Sequence, residues 1–259
     1  MAEVNFENRT LYHGDNLDFL RGMNSETVHL IATDPPFNKS RDFHAMPDSL
    51  ARGASFQDRW SWRDDIHDEW LLTIQRDHSD VWSVINTAKR VYGDDMGAVL
   101  CFMAVRLLEM HRVLREDGSL YLHCDPTASH YLKSLLDAIF SKGNFRNELI
   151  WKRTGSHGGA KRWGPVHDVI LFYTASDKYR WNRSFQDYSS EYITRHYRNE
   201  DHRGKFQVVS LTGAGTRTGD SGKEWRGVNP TDSGRHWAIP RRTLQNAYPD
   251  RTDLDELST

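Results

Sequence analysis

The densest chemistry in this chain lies near the N-terminus, in Thr33-Asp34-Pro35-Pro36-Phe37-Asn38, directly after the apolar segment Val28-His29-Leu30-Ile31-Ala32. A strand that stops here leaves a carboxylate, a rigid carbonyl and an aromatic ring at one sheet edge. The Asp34 carboxylate is a charged acceptor, and hydrogen bonds to charged acceptors are the strong ones. The Pro35 carbonyl is a second acceptor. Proline suits its place because it fixes φ and has no N–H of its own to donate. Phe37 offers a face on which a base drawn from a duplex can stack. Together these groups can act on the exocyclic amine of a planar base, one acceptor for each of its hydrogens. The same residues also describe a plain strand and turn, because Asp opens turns and proline pairs mark them.

The elements around this run decide between the two readings. Leu11 to Leu20 reads as a short strand, then Gly14-Asp15, then a short helix with Leu17 and Leu20 on one side. That places Asp15 at the carboxyl edge of a sheet, where ligands of open α/β sheets bind. Asp15 or Asn16 as a simple helix cap is the alternative. Ser40 to Asp68 is polar, rich in Trp, Arg, Asp and His, and has no sustained period. It reads as a long connection or an insertion with short helices, and Trp60 and Trp62 are expected to pack. A helix is predicted over Gly97 to Glu116, with Val99, Phe102, Met103, Val105, Leu108 and Val113 on its apolar face and Asp117-Gly118 at its end. A buried strand follows over Ser119 to Asp125. Asp125-Pro126-Thr127 reads as a cap with proline at the first helical position, opening a helix over Thr127 to Ser141. Further strands are predicted at Asn147 to Lys152 and Asp168 to Thr174. Strands alternating with helices indicate a mainly parallel α/β sheet. His123 and Asp125 share one strand face and flank Cys124, but no second cluster has ligand spacing, so no metal is expected. His123, at a strand end near Asp34, could line a base pocket.

The chain has 259 residues, 37% of them apolar and 12% aromatic, which supports a buried core and argues against disorder. No apolar run has membrane-spanning length. The N-terminus lacks the basic-then-apolar order of a signal peptide, so a cytoplasmic location is expected. Cys101 and Cys124, the only cysteines, read as buried free thiols. The formal net charge of −2 hides an asymmetry: Arg146 to Gln245 holds 18 Lys/Arg against 10 Asp/Glu. Interleaved with Trp151, Trp163, Tyr179, Trp181, Tyr192, Tyr197, Trp225 and Trp237, this block fits a nucleic-acid face or an ordinary solvated surface.

The Asp34-Pro35-Pro36-Phe37 run resembles motif IV of the β-class amino-directed DNA methyltransferases, the N6-adenine and N4-cytosine group. Gly14-Asp15 resembles their motif III. Leu120-Tyr-Leu-His-Cys-Asp-Pro-Thr-Ala-Ser-His130 resembles the motif V–VI neighbourhood, and Asn147 to Arg153 and His167 to Tyr173 resemble the last strands. These motifs stand in the family's order and cover most of residues 9 to 175. The resemblance implies a partial, permuted Rossmann-like methyltransferase sheet with an irregular basic target-recognition region. The implied cofactor is S-adenosyl-L-methionine, near Asp15 and Asp34. The implied substrate is double-stranded DNA with a flipped target base, gripped by Asp34, Pro35, Pro36 and Phe37. Asp at the first motif position favours adenine N6 over cytosine N4 by family analogy.

The resemblance also implies residues 1–175 as the catalytic part, with a long polar insertion at about 39–95, and 176–259 as a partial target-recognition region and linker. Arg217, Lys223, Arg226, Arg235, Arg241 and Arg242 are the candidates for DNA contacts there. In the permuted class the glycine-rich cofactor turn lies near the C-terminus, and no such turn is read before Thr259. Leu211-Thr-Gly-Ala-Gly-Thr216 is not followed by a helical apolar pattern, and Ser221-Gly222-Lys223 fails as a phosphate loop. The chain is therefore expected to be incomplete for activity, with a complementing C-terminal half or a restriction endonuclease as partner. Two other readings stay open: a non-catalytic DNA-binding subunit or remnant of a split methyltransferase, and methylation of another amine or amide, where Asn-Pro-Pro-Tyr is the usual motif.

Overall fold

A computed structural model of the chain describes residues 3–36, 39, 43–44, 48, 50, 52–53, 55–56, 58–155, 161 and 163–247. Phe37 and the acidic tail Asp250–Thr259 lie outside the described residues. The chain forms two units, Met1–Asn182 and Arg183–Thr259.

The first unit runs α1 (Asn16–Gly22), β1 (Val28–Thr33), the short pair β2 (Phe43–His44) and β3 (Ser55–Phe56), α2 (Asp68–Asp77), α3 (Ser79–Tyr92), α4 (Asp94–Val113), β4 (Leu114–Cys124), α5 (Ser129–Phe140), β5 (Phe145–Lys152) and β6 (His167–Thr174). The main sheet has the order β1-β4-β6-β5. β1 runs parallel to β4, whereas β6 is antiparallel to both β4 and β5. The sheet is therefore mixed, not mainly parallel. Helices cross between β1 and β4, but none occurs among the described residues between β5 and β6, and a connection without a crossover returns the chain antiparallel.

Burial of apolar side chains on one sheet face drives the packing. Leu120, Leu122 and Cys124 of β4 and Val169, Leu171 and Tyr173 of β6 join α4 and α5, through Leu100, Leu107, Leu132, Leu135, Leu136 and Phe140, in one core. Helices α2 and α3, unread in the sequence, add Trp70, Ile74, Val81, Ile85 and Ala88. Trp60 packs on Phe102 at 4.4 Å between ring centres and Trp62 against Trp82 at 6.5 Å, so both pack as expected. On the other sheet face Tyr121 stacks flat on Phe172 at 4.5 Å, and Trp181 stacks on Phe172 in turn. Burial pushes the free Cys101 and Cys124 thiols up to about 12.

Several boundaries differ from expectation. No strand forms over Leu11 to His13, and Leu11 is almost fully exposed. Helix α4 spans Asp94–Val113 and gives way directly to β4, so Asp117-Gly118 lies inside the strand. There the ladder slips from Val28↔Leu114 to Leu30↔Ser119, a bulge that takes up surplus residues of β4. Gly118 fits because an added Cβ would meet the Arg115 carbonyl at 2.9 Å. Asp125 accepts the Thr127 N–H at 3.0 Å, but it caps a turn, and α5 starts only at Ser129.

The second unit contains α6 (Ser190–His196), the antiparallel pairs β7 (Asn199–Asp201) with β8 (Gly204–Phe206) and β9 (Thr212–Ala214) with β10 (Arg235–Trp237), and α7 (Arg241–Ala247). Trp225, Trp237 and Leu244 form its small core. The Trp237 Nε1–H donates to the Lys223 carbonyl at 2.8 Å. Gly213 lies in β9 and Gly215 directly after it, and neither opens an α-helix. An added Cβ on Gly222 would lie 1.6 Å from the Arg217 carbonyl, so loop closure alone demands this glycine.

An ion pair ties α1 to α4. Arg106, 4% exposed, projects from α4 and donates through Nη2 to both Asp15 carboxylate oxygens at 2.8 Å, and through Nε to Asn16 Oδ1 at 3.0 Å. Asp15 also caps α1 by accepting the Leu17 N–H at 2.8 Å. Partial burial pushes the Asp15 carboxyl up, but the Leu17 amide and Arg106 together outweigh that and hold it below its ordinary value of 3.8. A carboxyl depressed by folding stabilises the fold above its unfolded value and loses that contribution as pH falls through the folded one. Losing one partner of a fully buried pair costs about 3–5 kcal/mol; the half-exposed Asp15 carboxylate lowers the expectation for Asp15→Asn to about 2 kcal/mol. Urea unfolding at neutral pH should show that loss, and the gap between wild type and variant should close as pH drops below 3.8. A gap independent of pH would refute the ion-pair account.

Candidate active site

The β1–β4 ladder assembles the site. Ala32 pairs with Tyr121 and Thr33 with Leu122, so the next residues, Asp34 and His123, emerge side by side at the carboxyl ends of two parallel strands. Asp34 Oδ1 lies 2.8 Å from His123 Nδ1. His123 Nε2 lies 3.4 Å from Asp168 Oδ2. Asp168, at the start of β6, accepts from Arg153 Nη1 at 3.1 and 3.3 Å. The result is a row of alternating character, Asp34–His123–Asp168–Arg153. It begins at an exposed carboxylate (72%) and passes through a half-buried ring to a carboxylate that is 4% exposed. Pro35 and Pro36 are half-buried beside Asp34. Phe37 lies outside the described residues.

A cavity of about 400 Å³ opens next to this row, lined by Lys39, Asp125, Pro126, Thr127, Arg153, Pro165, His167 and Asp168. Lys39 Nζ approaches Asp125 Oδ2 at 3.5 Å across it. Its wall thus carries donors and acceptors of both signs at the ends of β4, β5 and β6, which suits a polar planar ligand better than an apolar one. Among the described residues no group of three or more His, Cys, Asp or Glu could hold a metal ion.

The predicted site residues fall in different places. Asp34 stands at the row just described. Asp15 is engaged by Arg106 and by the α1 amide, with its carboxylate still half exposed. Of the proposed DNA contacts, Arg217, Lys223 and Arg242 are exposed in the second unit. Arg235 is turned inward on Thr212 through two bonds of 2.7 and 2.8 Å, Arg241 pairs with Asp220 at 3.5 Å, and Arg226 lies against the Trp225 ring. Trp225 and Trp237 are core residues, while Trp151, Trp163 and Trp181 are exposed. Sequence reasoning gave Asp168 and Arg153 no role and placed His123 near Asp34 in the pocket wall without foreseeing their bond. The available signal was polar residues at the ends of otherwise apolar strands.

Residues 28–247 match the DNA methylase family designated N6_N4_Mtase. The type II methyltransferase M.EcaI of Enterobacter cloacae is 35% identical over 141 residues, covering 54% of this chain and 31% of its own. The Mod subunit of the type III restriction-modification enzyme StyLTI of Salmonella typhimurium is 26% identical over 260 residues, 96% of this chain and 37% of its own. The chain spans roughly a third of the length of these curated relatives. The solved structure of TTHA0409 from Thermus thermophilus, complexed with S-adenosyl-L-methionine, aligns over 70% of this chain and 59% of that one, with 15% identity and a TM-score of 0.35. Because the family match takes in the site strands, α4, α5 and most of the second unit, this chain belongs to the N6/N4 DNA methylase family.

Proposed function

We propose that the first unit is the base-gripping part of an S-adenosyl-L-methionine-dependent DNA methyltransferase that modifies an exocyclic amine, adenine N6 in preference to cytosine N4. The observation that carries this reading is Asp34, an exposed carboxylate held at one oxygen by His123 at the carboxyl end of β1. The lone pair of an aromatic amine is delocalised into its ring, so the nitrogen must move toward sp3 geometry before it can accept a methyl group. Asp34 and the Pro35 carbonyl accept its two hydrogens and favour that geometry, and Phe37 stacks the extruded base. Catalysis is then positioning and electrostatic preorganisation. The cavity lined by Asp125, Arg153 and Asp168 lies beside the grip and offers polar groups for the ring edge of the base. Arg217, Lys223, Arg226, Arg235, Arg241 and Arg242 are the proposed DNA contacts, and duplex DNA with one base flipped out is the proposed substrate. A restriction endonuclease or a complementing half is the proposed partner.

S-adenosyl-L-methionine would supply the methyl group. The acidic Asp15 and Asp34 are the residues of this chain proposed to border it. They fit a cationic sulfonium compound, but they make only part of a site. The glycine pair nearest in pattern to a cofactor turn, Gly213 and Gly215, sits in and just after a strand of a two-stranded antiparallel pair. Calorimetric titration of the 259-residue chain should therefore show binding weaker than micromolar, and micromolar affinity would refute the partial-site reading.

Asp34→Ala, introduced in the full-length protein, should lower kcat for methyl transfer to DNA by about 1000-fold while leaving DNA affinity nearly unchanged. Undiminished transfer would remove Asp34 from the mechanism and leave a DNA-binding module as the better account.

A further inference from the structure

We infer that His123 is a positioning residue that sets the direction of the Asp34 carboxylate, an inference that rests on the reading of Asp34 as the amine acceptor. Asp34 follows the last residue of β1 and is 72% exposed. A solvated aspartate at a strand end samples several staggered rotamers. One that must accept a single N–H along a defined line is better held in one. His123 supplies that hold. A carboxylate can only accept, so the His123 Nδ1 at 2.8 Å carries the hydrogen of this bond. That leaves Asp34 Oδ2, which makes no hydrogen bond among the described residues, as the oxygen facing the amine.

The ring also lies against a second carboxylate. Its Nε2 edge faces Asp168 Oδ2 at 3.4 Å, and Asp168 is buried and tied to Arg153 by two contacts from Nη1. An imidazole is suited to this bridge because it presents polar atoms on two edges of one rigid plane, whereas an amide side chain of similar size reaches only one of the two carboxylates. Among the groups facing His123 are Asp34 on one strand end and the Asp168–Arg153 pair on the other side. Both are reached through the strand registers and not through flexible loops. The arrangement orients an acceptor before substrate arrives, the kind of preorganisation whose loss slows turnover more than it weakens binding.

Two measurements test this. In the 259-residue chain labelled at its histidine ring nitrogens, heteronuclear NMR should show the His123 Nδ1 resonance, assigned by its loss in His123→Gln, shifting in Asp34→Asn. A resonance indifferent to Asp34→Asn overturns the inference, whatever the enzyme does. In the full-length protein, His123→Ala and His123→Gln should lower kcat by about 100-fold with the KM for DNA changed by less than about 3-fold, because a displacement near 1 Å costs about that much. His123→Asn, whose amide nitrogen falls where Nδ1 lies, should recover most of the rate. Equal losses in the Asn and Ala variants, or a rate loss that only tracks a lowered unfolding midpoint, would reduce His123 to a structural link and overturn the inference. If the wild-type protein transfers no methyl group, the functional reading fails on its own, and the NMR result still decides whether His123 holds Asp34.

Discussion

In a parallel pair of strands both chains leave the sheet at the same edge, so the register that pairs Thr33 with Leu122 commits Asp34 and His123 to one side of the molecule. Strand side chains alternate with period two, and a slip of one residue would exchange the two faces of β4. Leu120, Leu122 and Cys124 would then leave the core, and Tyr121 and His123 would enter it. Each displaced leucine forfeits about 1.5–3 kcal/mol of burial. The bulge at Gly118 absorbs the surplus residues of β4 before the site is reached, so the final four pairs run without a break. Core packing, with no polar contact of its own, thereby sets the geometry of the polar row.

The two carboxylates singled out for chemistry are held by the same device. Asp15 is half exposed and bound to the buried Arg106; Asp34 is exposed and bound to a histidine that backs onto the buried Asp168, itself paired with Arg153. In each case the carboxylate keeps an edge in water, while its partner is too confined to wander. A fully buried acceptor would suffer desolvation, and a fully free one would lose its direction. Placing the fixed partner inside and the other carboxylate oxygen outside avoids both. For Arg106 the confinement is reinforced by the Phe102 ring, 3.4 Å from its guanidinium carbon.

How much of this was legible in the sequence depended on the distance between partners. The apolar pattern of Val99, Met103 and Val113 announced α4, and the run ending at Thr33 announced β1. The pattern Val81, Ile85, Ala88 was equally visible for α3, but the polar, aperiodic stretch before it drew α2 and α3 into the insertion. Nothing near Arg106 in the sequence marks its role, because its partner Asp15 stands 91 residues away. His123 and Asp34 are 89 residues apart; their strand ends were expected to lie near each other, but the bond between them depends on the exact register of the ladder. Strand direction was illegible too: the alternation in Val169, Leu171 and Tyr173 is the same whether β6 runs parallel or antiparallel to β4. The helix-to-strand switch at Leu114 was hidden because both elements place an apolar side chain there.

The position of β1 in the sheet explains why Asp34 needs a neighbour of this kind. Among the described residues β1 pairs only with β4, and Leu30 on it is 58% exposed. A carboxylate at the end of a central strand would be flanked on both sides by backbone and side chains that restrict it. At an edge strand, sheet packing can constrain it from one side only, and β4 is that side. Its contribution must reach sideways beyond the last ladder pair and carry a donor at its near edge and a second polar atom at its far edge. His123 does so, with the buried Asp168 behind it as a fixed point. The exposure that makes Asp34 available to a ligand and the imidazole that limits its freedom are thus two consequences of one topological fact.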